Sequence, residues 1–483
     1  MSIYLDAYCS REILKLTSQT GYIPSVRDLV RKNPRFFIAV LAAALLLRAF
    51  FILYFPSVVN DSFIYGDIAK NWLRHGIYGV SSPEGILPTY IRLPGYPLFL
   101  ALVWTVFGME HYRAVLILQV FIDLGTCFLC ASIALRLAGQ RAAKVAFLLA
   151  AMCPFFANYT AAALTETLEI FFTALALDSV LRALSSGAFR QWIICGASCG
   201  AAILLRPDGA MLPFVIVLYI VWRVVFPKDA NPTRAQLLRA GLIVGVLTVF
   251  PLVPWTVRNW RVFHRFQPLA PRYANEEGEF VPMGFNHWTK TWIADYASVE
   301  EVYWAVPGSQ IDVDKLPSRA FDTAEQREET ASLISDYNAV LHMTPALDER
   351  FESLAQERTH AHPLRTYVEL PILRILDMWL RPRTEMLPSD TRWWEFDDEP
   401  KWSALAVTFG VIGLFYFVSG LVGWLISRPL AASGFLLLFV VLRSGFLGTL
   451  ENPEPRYTLE MYPVLLVFAA AALAWRRPQS AGA

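Results

Sequence analysis

Six short polar motifs interrupt the apolar runs of this 483-residue chain, and each carries a group able to act on a hydroxyl or a phosphate. Asp61 opens the stretch Asp61-Ser-Phe-Ile-Tyr65-Gly-Asp67. An ionised carboxylate within hydrogen-bond reach of an acceptor hydroxyl is a general base; an Asp at a helix start is equally at home as a cap. Arg92 is a lone cation in the apolar approach Tyr90-Ile-Arg-Leu-Pro-Gly-Tyr-Pro97. A planar guanidinium suits a phosphate, and a long cationic side chain beside a bilayer also snorkels to headgroups. Glu166 and Glu169 stand one turn apart in Leu164-Thr-Glu-Thr-Leu-Glu169 and share a helix face where an apolar segment begins. Carboxylates entering a membrane segment are functional candidates. Arg206 with Asp208, Arg258 in Trp255-Thr-Val-Arg-Asn-Trp260, and Arg456 with Tyr457 complete the set.

The elements that position these groups follow from hydrophobicity. The chain is 55% apolar and only 17% charged, against about 25% charged in soluble domains. A bilayer core of about 30 Å needs about 20 apolar residues in a helix. Ten stretches answer to that: 36–56, 111–135, 143–159, 166–184, 190–205, 210–226, 238–256, 402–426, 430–449 and 457–475. The segment 94–108 is short and proline-flanked. Counting it as a span would push Arg141 and Lys144 outside, against the positive-inside bias, so it reads as an interfacial or re-entrant helix. The fold class is thus all-α and polytopic, with about ten spans and both termini cytoplasmic. Ile64, Ile68, Trp72 and Leu73 recur at helical spacing after the first span, the pattern of a helix lying in the interface.

The formal net charge of +1 hides an asymmetry. Residues 258–400 hold 15 Lys/Arg against 25 Asp/Glu, and the rest of the chain is basic. This excludes a nucleic-acid binder relying on overall basicity and places the acidic segment outside. The expected organisation is a cytoplasmic tail 1–35, with a surface helix around Ile13, Leu14 and Leu16 or a plain tail. A seven-span core 36–257 with first outer loop 57–110 follows, then the acidic region 258–400, three spans in 401–477 and a tail 478–483. No cleavable signal peptide is read. Arg48, Asp123, Asp178 and Arg443 fall within spans, where unpaired charges are expensive; Arg48 with Asp123 is read as a structural pair. Cys127/Cys130 and Cys195/Cys199 are read as packing residues, and His360/His362 as a solvated pair.

In order and spacing, these motifs resemble the polyprenol-phosphate-sugar-dependent membrane glycosyltransferases of the GT-C fold, notably glycosyltransferase family 39, the protein mannosyltransferases, and the lipid A aminoarabinose transferases. The resemblance runs over roughly 36–300 and 365–475; residues 301–364 match nothing in it. It implies a seven-span core with interfacial helices in the first outer loop. It also implies Asp61 as catalytic base, Glu166 as a second site acid, and Arg92 at the donor phosphate, where the aminoarabinose transferases have Lys. Arg258 would assist at the phosphate, with Tyr65, Asp67, Glu169, Arg206, Asp208, Arg456 and Tyr457 lining the site.

The implied activity is inverting transfer of a sugar, hexosyl or pentosyl, from an undecaprenyl- or dolichyl-type phosphate. The acceptor would be a glycan, lipid or protein at the outer face of a plasma (inner) membrane. No cofactor is certain; a divalent metal held by Asp61 or Glu166 with a histidine is compatible with the sequence, but nothing in the spacing demands it. The competing readings are a lipid-sugar flippase, which would favour paired repeats and a midplane site, and a surface-glycan polymerase or ligase, which would not require the first-loop Asp followed by the Arg-Leu-Pro-Gly turn.

Overall fold

The computed structural model describes residues 25–227, 232–427 and 431–475; most of the 1–35 tail, with the segment around Ile13 read as a surface helix or plain tail, and the tail 478–483 lie outside them. The chain divides into two compact units, 1–276 with 416–440 and 459–483, and 277–415 with 441–458.

The first unit begins with α1 (Val26–Lys32), whose N-terminal Ser25 and Asp28 cap one another reciprocally, and α2 (Pro34–Tyr54). The following loop holds α3 (Asn60–His75), an antiparallel hairpin of β1 (Gly79–Ser82) and β2 (Gly85–Pro88), and α4 (Gly95–Phe107). Among the described residues the hairpin is the one two-stranded sheet; the loop otherwise carries the two helices expected there. Ile64, Ile68 and Trp72 of α3 turn onto Tyr78, Tyr90 and Trp255, while Leu73 faces outward. At 13 residues, about 20 Å, α4 is too short to cross a bilayer core.

Next come α5 (Tyr112–Ala151), α6 (Pro154–Thr160), α7 (Glu166–Ser186) and α8 (Phe189–Leu205). Helix α5 breaks at Gly139, whose φ of +83° is open to glycine at no steric cost. The break falls between the two spans expected at 111–135 and 143–159. α9 (Met211–Val225), α10 (Arg234–Val249) and α11 (Leu252–Phe263) complete the run to the unit boundary.

The second unit contains α12 (Met283–Lys290), α13 (Ala324–Val340), α14 (Pro345–Ala361) and α15 (Leu370–Leu380). Residues 301–364 are more than charged helices with solvated faces. Trp288, Trp292, Leu333, Tyr337 and Phe351 form a closed apolar centre between α12, α13 and α14. Thr323 and Thr344 cap α13 and α14 through backbone N–H groups. Buried Arg358 donates to Thr291 Oγ1, Gln326 Oε1 and the Arg319 carbonyl. Helix α15 buries Arg374, which donates to the Ile293 and Lys290 carbonyls, and exposes Ile372, Leu373, Leu376 and Leu380, as expected of an interfacial helix.

The last helices are α16 (Pro400–Ser427), α17 (Ala431–Gly448) and α18 (Tyr462–Ala474). Helix α18 packs along α5 within the first unit and is buried almost throughout. By length and composition six helical segments among the described residues are able to cross a membrane. The second half of α5, the charged α7 and the shorter α8 and α17 supply the rest of about ten spans. The pairing expected inside the membrane is present: Arg48 Nε donates to Asp123 Oδ2 at 2.6 Å and Nη1 to the Ala44 carbonyl at 3.1 Å. Asp178 accepts from Ser132 at 2.6 Å and from Arg182 at 2.5 Å. The five described cysteines are free and buried, and His360 and His362 are exposed.

Candidate active site

Asp61 stands in the first turn of α3, where a carboxylate is favoured by the helix dipole. The cap position itself is Val59, whose N–H donates to Ser62 Oγ. The Asp61 carboxylate points instead to Arg92: Nη2 donates to Oδ1 at 2.9 Å. Both side chains are partly open, 33% exposed for Asp61 and 20% for Arg92. Arg92 also donates to the Ile91 carbonyl, and its guanidinium carbon lies 5.9 Å from the centre of the Tyr65 ring.

The Arg92-Leu-Pro-Gly turn is explained by its neighbour. A Cβ on Gly95 would come within 2.5 Å of the Leu204 carbonyl oxygen, so only glycine lets α4 seat this closely on the end of α8. Two residues beyond Leu204 the chain reaches Arg206, bringing the two motifs together. Arg206 Nε lies 3.1 Å from Asp208 and 3.7 Å from Glu169, and Nη1 lies 3.9 Å from Glu166. Glu166 and Glu169 are buried, so one guanidinium answers three carboxylates.

Tyr65 lies within the fields of both groups. Burial holds its hydroxyl above the ordinary phenol range; Arg92 and Arg206 pull the other way, while Asp61 and Glu166 add to the rise. Its ring meets Tyr96 edge-on at 5.1 Å. Tyr96 donates to Gln119 at 2.8 Å, and Gln119 donates to the Ala162 carbonyl at 2.7 Å. Ser57 exchanges backbone hydrogen bonds with Ala161 and Ala163. The strand of chain leading to Asp61 is therefore tied to the strand leading to Glu166. Tyr96 and Gln119 escaped the sequence reading; an amide inside the apolar run 111–135 was the available signal.

The other expected site residues have partners of their own. Arg258 donates to the Thr89 and Tyr78 carbonyls at 2.7 and 2.6 Å, within about 5 Å of the Tyr78, Trp255 and Phe263 rings. It therefore holds the two ends of the hairpin. Asp67 accepts from the Ser81 N–H and hydroxyl, again fixing β1. Arg456 and Tyr457 belong to the second unit, where both engage Glu454. Among the described residues no group of three or more His, Cys, Asp or Glu side chains is placed to hold a metal. Asp61 and Glu166 each face an arginine. This arrangement does not fit a bound metal.

Residues 91–255 match the dolichyl-phosphate-mannose-protein mannosyltransferase family. No curated protein sequence matches the chain. Among solved structures the archaeal oligosaccharyltransferase AglB from Archaeoglobus fulgidus, in complex with an inhibitory peptide and a dolichol-phosphate, superposes with a TM-score of 0.50 at 14% identity. That match covers 92% of this chain and 50% of the archaeal one, so this chain spans about half its length. ArnT from Cupriavidus metallidurans bound to undecaprenyl phosphate is similar at a TM-score of 0.42 and 15% identity, over 91% of this chain and 78% of that one. The chain is accordingly a polytopic, all-α membrane protein of the GT-C fold, and a third of it carries the match to the dolichyl-phosphate-mannose-protein mannosyltransferases.

Proposed function

We propose that this chain is an integral membrane glycosyltransferase moving a sugar from a polyprenyl-phosphate donor to an acceptor on the extracytoplasmic face of the plasma (inner) membrane. Both termini are cytoplasmic in this reading. The observation that carries it is the Asp61–Arg92 pair, a candidate base and a phosphate-binding cation held 2.9 Å apart. The family match beginning at residue 91 supports the donor class, as does the fold shared with an enzyme solved with dolichol-phosphate.

Asp61 takes the proton of the acceptor hydroxyl. The acceptor oxygen bonds to the anomeric carbon as the bond from that carbon to the phosphate oxygen breaks, and the electron pair leaves with the polyprenyl phosphate. Attack opposite the leaving group inverts the anomeric centre. In the donor the phosphate is a diester with one negative charge; as it departs it gains a second. Arg92 then binds it more tightly in the transition state than in the ground state, which is the condition for accelerating the step. Without donor, Arg92 neutralises Asp61. Donor phosphate draws the guanidinium to itself and turns the carboxylate towards the acceptor proton. Arg206, held by Glu166, Glu169 and Asp208, lines the site within the field of Tyr65. Arg258 acts as a positioning residue through the hairpin.

The test is consumption of polyprenyl-phosphate sugars by the purified protein across a panel of acceptors. Turnover in the wild type, lost in Asp61→Asn, supports the reading. Equal turnover by the two proteins removes Asp61 as the base.

A further inference from the structure

The second unit encloses a polar cavity of about 140 Å³, lined among others by Tyr296, Glu300, Arg381, Thr384, Glu385 and Ser389. Its chemistry is unfinished. Both carboxylate oxygens of Glu385 are buried with no partner beyond the residue's own N–H, and the Ser389 hydroxyl oxygen is buried with none. Other members are engaged: the Tyr296 hydroxyl donates to Glu300 at 2.6 Å, and Arg381 stacks between the Tyr296 and Trp394 rings while donating to the Thr391 carbonyl. Burial raises the Glu385 carboxyl above its ordinary range, with Arg383, its own backbone N–H, Arg381 and Arg456 opposing. A buried carboxylate with so few donors is expensive and calls for an occupant that supplies more.

The lining selects the class of that occupant. A simple cation meets Arg381, and an anion meets two carboxylates. A group bearing adjacent hydroxyls can donate to Glu385 and Glu300 while accepting from Ser389 and Arg381. The space corresponds to roughly five waters at about 30 Å³ each, enough for the hydroxylated edge of one sugar ring. We propose that this cavity, bounded by the Tyr296 turn and the 381–391 loop, is a binding subsite for a neutral sugar unit. It is carried by the second unit and does not depend on the role given to Asp61.

The experiment is saturation-transfer NMR on the full chain in detergent with a panel of neutral methyl glycosides, beside ethylammonium chloride and inorganic phosphate. Expected is transfer to at least one glycoside, with its affinity falling about tenfold or more in Glu385→Ala, as for a lost hydrogen bond to a charged group. Ser389→Ala, a milder change that keeps the fold if Glu385→Ala does not, is expected to weaken the same signal severalfold. Three results would overturn the proposal: no transfer to any glycoside, transfer to the ammonium or phosphate alone, or glycoside signals unchanged in the variants. In the first case the cavity holds only water.

Discussion

Two Arg–Asp pairs occupy different regions of the first unit and behave as different devices. Arg48 and Asp123 sit between apolar helices with side chains 0% and 3% exposed, and Arg48 is further bound by carbonyls of α2 and of the α5 C-terminus. Arg92 and Asp61 lie in the loop after the first span, partly open to their surroundings. A fully buried pair is costly to separate because each partner would be left as a bare charge. A half-exposed pair contributes little to stability and can exchange partners. The same two side chains thus make a fixed brace in one place and an exchangeable contact in the other.

The largest expected effect lies at the exchangeable pair. Asp61→Asn should lower turnover by about 10²–10⁴-fold, the usual worth of a general base, while its thermal unfolding stays near wild type; a donor-consumption assay beside a melting curve reads both. At the brace the pattern reverses. Asp123→Ala leaves Arg48 unpaired and should cost about 3–5 kcal/mol of stability, seen as a lower unfolding midpoint in detergent. The double replacement Arg48→Met with Asp123→Leu should recover much of that loss.

Asp377 offers an intermediate case. It accepts from the Tyr296 N–H at 3.0 Å and faces Arg381 at 3.7 Å, and burial still lifts its pKa from 3.8 to about 6. The folded state therefore binds the proton more tightly than the unfolded one. Stability is greatest below the unfolded value and falls as pH rises towards the folded one, by no more than about 3 kcal/mol. Asp377→Asn should flatten the unfolding midpoint between pH 4 and 6. The smallest effect is Arg92→Ala on stability, about 0–1 kcal/mol; a loss comparable to that of Asp123→Ala would make the Asp61–Arg92 pair a second brace.

Much of this contrast was legible in the sequence. Arg48 and Asp123 stand in runs where charge demands a partner, and the Arg92-Leu-Pro-Gly and Arg206-Pro-Asp motifs each announce a break in an apolar helix. The meeting of those two motifs was less readable, because it depends on Gly95 allowing a close approach to Leu204. The partners of Arg258 were unreadable for a related reason: they are the carbonyls of Tyr78 and Thr89, and every residue carries a carbonyl. The aromatic centre of the second unit was hidden by the charged outer faces of α13 and α14, where Leu333, Tyr337 and Phe351 are few among glutamates and arginines. Glu385 looked like one more acid in an acidic region until the fold buried its carboxylate oxygens beside an unpartnered hydroxyl.

The exchange of Arg92 between Asp61 and phosphate is the centre of the account, and the affinity for polyprenyl phosphate measures it directly in wild type, Asp61→Asn and Arg92→Ala. Arg92→Ala should bind it about tenfold more weakly or worse, while Asp61→Asn, which releases the guanidinium, should bind it as tightly as wild type or more so. Unchanged affinity in Arg92→Ala, or weakened affinity in Asp61→Asn, would contradict it.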